Sequence, residues 1–163
     1  MAHEIERKFL VGSEAWRTGT AGENIAQGYL SSVPQRTVRV RIKSDKGYLT
    51  IKGPTTGLTR AEFEYEIPTD DARHLLTLCE RPPIEKTRHR VEHAGRVWEI
   101  DEFRGENEGL IVAEVEVESE DAMVALPPWV GEEVSHDPRY YNSNLMSNPF
   151  RSWPCNAGLN GRA

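Results

Sequence analysis

The chain has 163 residues, 37% of them hydrophobic and 28% charged, which fits one domain with a packed core. The formal net charge of −6 argues against a general affinity for nucleic acid, and no apolar run reaches membrane-spanning length. Two cysteines, Cys79 and Cys155, lack metal-ligand spacing, so we expect reduced thiols in a cytoplasmic protein.

Alternation of apolar and polar residues predicts eight strands, most of them antiparallel neighbours, which are enough to close a barrel. In chain order, we expect strands over residues 3–11, 25–33, 36–43, 48–52, 60–67, 84–93, 96–103 and 110–118. One helix is expected to follow an N-cap at Thr69 or Asp70, and a second to span 120–126 before Pro127 and Pro128.

The polar faces of these strands carry sorted charges. The first strand aligns two glutamates and a lysine, the third and sixth repeat Arg and Lys, and the fifth and eighth repeat Glu. A solvated face normally mixes signs, and rows of like charge destabilise the free protein unless a ligand neutralises them. Basic rows suit a polyanion and acidic clusters suit a divalent cation, so the pattern indicates a phosphate chain with magnesium.

Two hairpins predict which charges face each other. A two-residue turn at positions 45–46 would place Arg39 opposite Lys52, a pair of like charges that an ordinary sheet avoids. The hairpin between the sixth and seventh strands would place Arg88 opposite Asp101, where the carboxylate can orient the arginine.

The charged faces could point to solvent or into a barrel. An ordinary antiparallel sheet exposes its polar face, and that interpretation fits each strand taken alone. The sorted signs favour a wet, charged lumen, with the apolar faces turned outward. Helices over 69–80 and 120–126, the C-terminal segment or a second copy of the chain would then cover the outer surface.

Eight motifs follow one another along residues 3–146: "EIERK", "RVRIK", "TIKGP", "EFEYEIP", "EKTRHRV", "WEIDEF", "GLIVAEVEVE" and "DPRYYNSNL". In this order they resemble the CYTH superfamily, also called triphosphate tunnel metalloenzymes. The resemblance implies an α+β fold, an eight-stranded antiparallel closed β-barrel around a charged tunnel, with a few short helices packed outside. This domain would span residues 1–147, and residues 148–163, rich in Pro, Gly and Asn, are expected to form a loosely ordered C-terminal tail.

The resemblance also implies metal-dependent chemistry on a triphosphate, with Mg²⁺ as cofactor and Mn²⁺ as a possible substitute. The expected metal ligands are Glu4, Glu6, Glu114 and Glu116. The expected phosphate-binding residues are Lys8, Arg39, Arg41, Lys52, Lys86 and Arg88. Lys8, Glu62, Glu64 and Lys86 are the expected catalytic residues, with Asp101 and Tyr29 in supporting positions.

Inorganic triphosphate is the expected substrate, because "HEIERKFLV", "WEIDEF" and the short chain resemble the small bacterial tripolyphosphatases most. An adenylate cyclase of the same family, or a thiamine or nucleoside triphosphatase, would use the same tunnel. A non-catalytic polyphosphate-binding module is disfavoured, because both the acidic and the basic residues are present. We expect a monomer or homodimer that binds a small-molecule triphosphate, with no nucleic-acid or membrane partner.

Overall fold

The structure, a computed structural model, describes residues 2–19 and 21–154 of the chain. Within these ranges the strands β1 to β9 span, in order, Ala2–Val11, Glu23–Ser31, Thr37–Lys43, Lys46–Lys52, Thr59–Ile67, Ile84–His93, Arg96–Phe103, Ile111–Glu116 and Val130–Glu133. The helix α1 spans Thr69–Thr77 and α2 spans Asn142–Leu145, and short 3-10 helices occupy Gly105–Asn107, Pro138–Tyr140 and Phe150–Ser152. These helices are too short to cross a membrane.

Strands β1 to β8 close into an antiparallel barrel. Their order is β5-β4-β3-β2-β6-β7-β8-β1, and β5 returns to pair with the first half of β1. Strand β9 continues this pairing beyond the end of β5, with Val130 opposite Val11. Closure pairs the barrel's own edges with each other, so the predicted eight-stranded closed barrel is confirmed.

The β3–β4 hairpin turns one residue earlier than predicted. Its two-residue loop is Ser44-Asp45, because Ser44 takes the left-handed conformation, with φ of 55°, that such turns require. Arg39 therefore faces Thr50 and donates a hydrogen bond to its hydroxyl at 3.2 Å, and the predicted pairing with Lys52 is wrong. The partner changes by two residues, so every side chain keeps its predicted face.

The β6–β7 hairpin has the predicted register. Arg88 pairs with Asp101 and Arg90 with Glu99, and the loop at 94–95 has positive φ at both positions. This register places a carboxylate directly beside each of the two arginines.

The helices differ from prediction at two places. Helix α1 has Pro68, not Thr69 or Asp70, as its N-cap residue, and it packs outside the barrel on β2, β3 and β4. The expected helix over 120–126 does not form, and the chain there is irregular. Val124 in this segment packs against the apolar outer face of the barrel, which an extended path before two prolines allows.

An outer core covers the apolar faces of β1, β7 and β8. The segments that flank these strands fold back over them, and Trp98 lies between Phe9 and Trp129 with ring centroids 5.5 and 5.7 Å away. The buried members are Phe9, Val11, Trp16, Trp98, Ile100, Ala113, Val115, Val117 and Trp129. Burial of these aromatic side chains holds the charged faces of the same strands toward the lumen.

A second core fills one end of the lumen. Leu10, Ile84, Phe103 and Val112 lie on the lumen face of their strands, two residues from charged neighbours. The C-terminal segment packs into them through Val134, Tyr140, Leu145, Phe150 and Trp153, and we call residues 134–153 the plug. The C-terminal segment thus closes an end of the barrel instead of covering its outer surface.

The predicted loose tail is wrong for residues 148–154. Phe150 and Trp153 are only 1% and 5% exposed, and Trp153 Nε1 donates to the Asn148 carbonyl at 2.9 Å. These two aromatic rings complete the plug, so apolar burial outweighs the turn-forming composition of the segment. Residues 155–163 lie outside the described residues.

Candidate active site

A polar cavity of about 330 Å³ occupies the lumen beside the plug. Because the strands alternate, residues two apart on the predicted charged faces all reach this space. Twelve of the predicted site residues line it: Glu4, Glu6, Lys8, Tyr29, Arg39, Arg41, Lys52, Glu62, Glu64, Lys86, Arg88 and Glu114. The structure thus gathers the sorted charges of six strands around one cavity.

Asp101 lies behind the cavity wall, where it orients two cations. It is 2% exposed and accepts from Lys86 Nζ at 2.8 Å and from Arg88 Nε and Nη2 at 2.8 and 2.9 Å. Burial alone would raise the pKa of Asp101, but Lys86 and Arg88 hold it well below its usual range. The carboxylate therefore stays ionised and fixes both cations; its contact with Arg88 follows the predicted register, and its contact with Lys86 was not predicted.

Lys86 is a buried cation at the floor of the cavity, 1% exposed. Its ammonium also donates to Asn142 Oδ1 at 3.1 Å. Burial, which the neighbouring Arg88 reinforces, lowers the pKa of Lys86 to about 8 against the attraction of Asp101. Lys86 is therefore charged at neutral pH and close to losing its proton in mild alkali.

Arg88 connects three carboxylates. Besides Asp101, its guanidinium lies 3.2 Å from Glu99 Oε1 and 3.6 Å from Glu114 Oε1. Burial opposes its charge, but these carboxylates together raise the pKa of Arg88 above its usual value. Arg88 thus presents a permanently charged, rigidly held fork to the cavity.

Two glutamates on β1 and β8 face each other beside Lys8. Lys8 Nζ lies 3.5 Å from Glu114 Oε2 and donates to the Tyr140 carbonyl at 3.1 Å. Burial would raise the pKa of Glu114, but Lys8 leads the groups that hold it at about 2. Burial and then the charges of Glu114 and Glu4 raise the pKa of Glu6 well above its ordinary value. A cation bound between Glu6 and Glu114 would therefore be stabilised by both carboxylates.

On the opposite wall, three cations pair with three glutamates. Lys52 Nζ lies 2.7 Å from Glu4 Oε1 and 3.4 Å from Glu62 Oε2. Arg41 Nη2 lies 3.3 Å from Glu64 Oε2, and Arg39 shares that oxygen at 3.5 Å. Burial, then repulsion by Arg39 and Arg88, lowers the pKa of Arg41 to about 10. The cations of this wall therefore repel one another and attract an anion.

Glu116 is the predicted metal ligand that the cavity does not include. It pairs with Glu6 across β1 and β8, but its side chain is exposed at the end of β8. Across residues 2–19 and 21–154, no three His, Cys, Asp or Glu side chains are gathered as a ready-made metal centre.

Several lining residues were not assigned roles from the sequence. The plug contributes Ser135, Tyr141, Asn142 and Ser143, and the barrel adds Arg60 and Glu99. Glu99 could have been found, because it follows the lumen alternation of β7 through its pair Arg90. The plug residues lie on irregular backbone, where no period predicts a face.

The loop between β4 and β5 forms part of the cavity rim. Gly57 and Leu58 line the cavity, and Glu120 holds this loop by accepting from the Leu58 backbone N–H and the Thr59 hydroxyl, each at 3.1 Å. Gly57 has φ of 64°, and a Cβ there would meet the Glu120 carboxylate at 2.3 Å. The rim is therefore fastened by a carboxylate from the β8–β9 connection.

Comparison with known proteins finds the family that the sequence motifs resemble. The family model of the CYTH domain matches residues 2–141. The inorganic triphosphatase of Acetivibrio thermocellus is 49% identical over 154 residues, covering 94% of this chain and 99% of that protein. The inorganic triphosphatase of Nitrosomonas europaea is 38% identical over 151 residues, covering 87% of this chain and 95% of that protein.

Solved structures share the barrel. The crystal structure of an inorganic triphosphatase superposes with a TM-score of 0.64 at 34% identity, covering 92% of this chain and 99% of that one. A Bacillus halodurans structure with a provisional adenylate cyclase name gives a TM-score of 0.52 at 16% identity, covering 74% and 84% of the two chains. The second likeness is one of fold alone.

Proposed function

The chain belongs to the CYTH domain family, and from that membership we propose that it hydrolyses inorganic triphosphate to diphosphate and phosphate. The family members most informative here, at 49% and 38% identity over nearly their whole length, are inorganic triphosphatases. The observation that carries the proposal is one cavity in which six cations from four strands surround carboxylates. Those cations are Lys8, Arg39, Arg41, Lys52, Lys86 and Arg88.

The carboxylates suit a magnesium ion, with manganese as a substitute. Magnesium in proteins is usually held by one or two carboxylates together with waters and substrate phosphates. Glu6 and Glu114 supply such a pair, and burial, followed by the charge of Glu114, raises the pKa of Glu6. Glu4 would complete the ion's surroundings from the same strand, and Glu116, exposed beside Glu6, would contribute from the rim.

The cations would hold the triphosphate extended. Arginine forks match phosphate oxygens in pairs, and lysines add point charge. When the terminal phosphoryl group is transferred to water, the bond to the bridging oxygen breaks and negative charge builds on the leaving diphosphate. Lys8, Lys86 and Arg88, which line the cavity, would stabilise that charge, and a bound magnesium ion would offset it further.

Glu62 is the better candidate to accept the proton of the attacking water. Burial, followed by the charge of Glu4, raises the pKa of Glu62. Glu64, in contrast, is held as an acceptor by Thr50 at 2.8 Å and by two arginines, and its pKa is lowered although burial opposes this. A carboxylate with a raised pKa accepts a proton more readily, so Glu62 would act as base and Glu64 would orient Arg39 and Arg41.

The test incubates the purified protein with magnesium and, separately, inorganic triphosphate, ATP and thiamine triphosphate. Released phosphate and cyclic AMP are measured. We expect rapid hydrolysis of inorganic triphosphate and little cyclic AMP. Cyclic AMP as the main product from ATP would instead establish the cyclase alternative, which rests on shared fold alone.

Two variants link the activity to the cavity. Lys8→Ala and Glu6→Ala should each abolish turnover while the protein stays folded. Lys46→Ala and Glu85→Ala change the same residue types at exposed positions and should leave turnover unchanged. Full activity in either cavity variant would refute the assignment.

A cytoplasmic location and a monomeric or dimeric state stay predictions.

A further inference from the structure

The floor of the cavity contains an amide that contacts the buried lysine. Asn142 is the first residue of α2 in the plug, and its Oδ1 accepts from Lys86 Nζ at 3.1 Å and from Gln27 Nε2 at 3.0 Å. We propose that Asn142 is a positioning residue that aims the Lys86 ammonium at the substrate phosphate. This inference rests on the proposed triphosphatase function and assigns the plug a part in it.

The hydrogen bonds fix the direction of the lysine. An ammonium has three N–H donors and no acceptor. Asp101 Oδ2 takes one donor at 2.8 Å and Asn142 Oδ1 takes a second, from the other side of the cavity floor. The third N–H is free to reach the cavity, which Lys86 lines, and the Phe103 ring flanks the ammonium with its centroid 5.4 Å from Nζ. Two acceptors therefore hold the third donor in one direction.

The same geometry fixes the orientation of both amides. Lys86 can only donate, so the Asn142 atom beside it must be the oxygen. That oxygen in turn requires the Gln27 amide nitrogen, and Gln27 Oε1 is left buried without a partner among the described residues. A buried unpaired carbonyl costs free energy, and a fold keeps such a group where a more important contact demands it. Here the more important contact is the hydrogen bond from Gln27 Nε2 to Asn142 Oδ1, because it orients the amide that also accepts from Lys86.

Without Asn142, the ammonium would keep Asp101 and turn toward it. The charges of Arg88 on its own strand and of Glu114 on β8 also act on Lys86. The third donor would then no longer be fixed toward the cavity. We expect the affinity for triphosphate and the value of kcat/KM both to fall about tenfold, the usual effect of losing a hydrogen bond to a charged group.

The experiment measures triphosphate binding by calorimetry in EDTA, and kcat/KM with magnesium, for Asn142→Ala and Asn142→Ser. Serine is favoured near the start of a helix, so this second variant keeps the plug folded while removing the contact. Asn144→Ala is the matched control, because Asn144 lies on the same helix and its amide, within the described part of the chain, donates to the Pro138 carbonyl and not to a cavity residue. We expect triphosphate binding to be about tenfold weaker in both Asn142 variants and unchanged in the control.

A double-mutant cycle with Lys86→Met separates positioning from a purely structural role. If Asn142 acts through Lys86, Asn142→Ala should change binding little once the ammonium is absent. The alkaline limb of the kcat/KM profile should also move to lower pH in Asn142→Ala and stay in place in Asn144→Ala. Additive effects in the cycle, or equal effects of Asn142→Ala and Asn144→Ala, would overturn the inference. A wild-type protein that fails to hydrolyse triphosphate would instead refute the proposed function.

Discussion

At the scale of single residues, the cavity depends on a few carboxylates that hold cations in place. Asp101 contacts Lys86 and Arg88 at once, while Glu64 is shared by Arg39 and Arg41. Each cation therefore reaches the cavity with its orientation already set, and less conformational entropy is lost when an anion binds.

The first prediction concerns the pH dependence of catalysis. With the pKa of Lys86 at about 8, the free enzyme loses this positive charge above that pH. We expect kcat/KM for triphosphate to fall by up to about tenfold per pH unit beyond it. The free energy of unfolding should rise as the pH increases from about 8 toward the ordinary lysine pKa of 10.5, because the unfolded chain binds this proton more tightly than the folded one. Lys86→Arg, which stays charged, should extend the plateau of kcat/KM to higher pH, and an unshifted limb would contradict the assignment.

The second prediction concerns the carboxylate that holds the floor. Asp101→Asn keeps the size of the side chain but leaves Lys86 and Arg88 without their buried counter-charge. Breaking a buried ion pair on one side costs about 3–5 kcal/mol, so urea unfolding should show a loss of this size. Asp70→Asn is the control, since Asp70 is exposed on α1 and should change the free energy of unfolding by less than about 0.5 kcal/mol.

Sequence alternation accounts for most residue-scale predictions and not for all of them. Period two placed Lys8, Lys52 and Glu114 on the charged faces, and the sorted signs with the family resemblance predicted that these faces line the lumen. A shifted hairpin did not matter because the shift was even. Asn142 was missed because its place depends on how an irregular segment enters the barrel, and irregular backbone has no period. Glu116 followed the same alternation, but the strand ends there and leaves its side chain exposed.

At the scale of elements, the plug packs against β1, the first strand of the barrel. Leu10 of β1 and Trp153 belong to the same core, and the Lys8 backbone N–H donates to Ser135 Oγ at 2.9 Å. The composition of the segment after Asn148 indicated a loose tail, since Pro and Asn favour turns. Phe150 and Trp153 decide the outcome by packing with residues of distant strands such as Leu10 and Ile84, and a local pattern does not reveal such contacts.

The third prediction tests the plug. Trp153 packs at ring centroid distances of 5.2 Å on both Tyr140 and Phe150, and its truncation should leave a cavity in this core. Trp153→Ala should reduce the free energy of unfolding by about 3–5 kcal/mol in urea titrations. It should also weaken triphosphate binding, because Tyr140 and Asn142 share the plug. Leu78→Ala, at an exposed site, should change neither, and equal losses in the two variants would contradict the role of the plug.

At the scale of the whole molecule, like charges are concentrated in the lumen while the net charge of the chain is −6. Such an arrangement costs folding free energy in the absence of an anion, which the lowered pKa of Arg41 reflects, with burial as its first cause and Arg39 as its second. A bound polyanion should therefore stabilise the fold as well as fill the site.

The fourth prediction follows from this balance. Inorganic triphosphate at about one hundred times its Kd should stabilise the protein by about 2.7 kcal/mol and raise Tm accordingly, even in EDTA. Monophosphate at equal ionic strength should give a much smaller shift, because it can contact only part of the ring of cations. An equal Tm shift from both anions would show a non-specific salt effect in place of a shaped site.

The plug has one more consequence for turnover. Because the plug fills one end of the lumen, the products of the proposed reaction would leave past the other end. The product that lies nearer that end would then depart before the deeper one. Where this departure is slower than bond cleavage, product release and not chemistry would limit turnover.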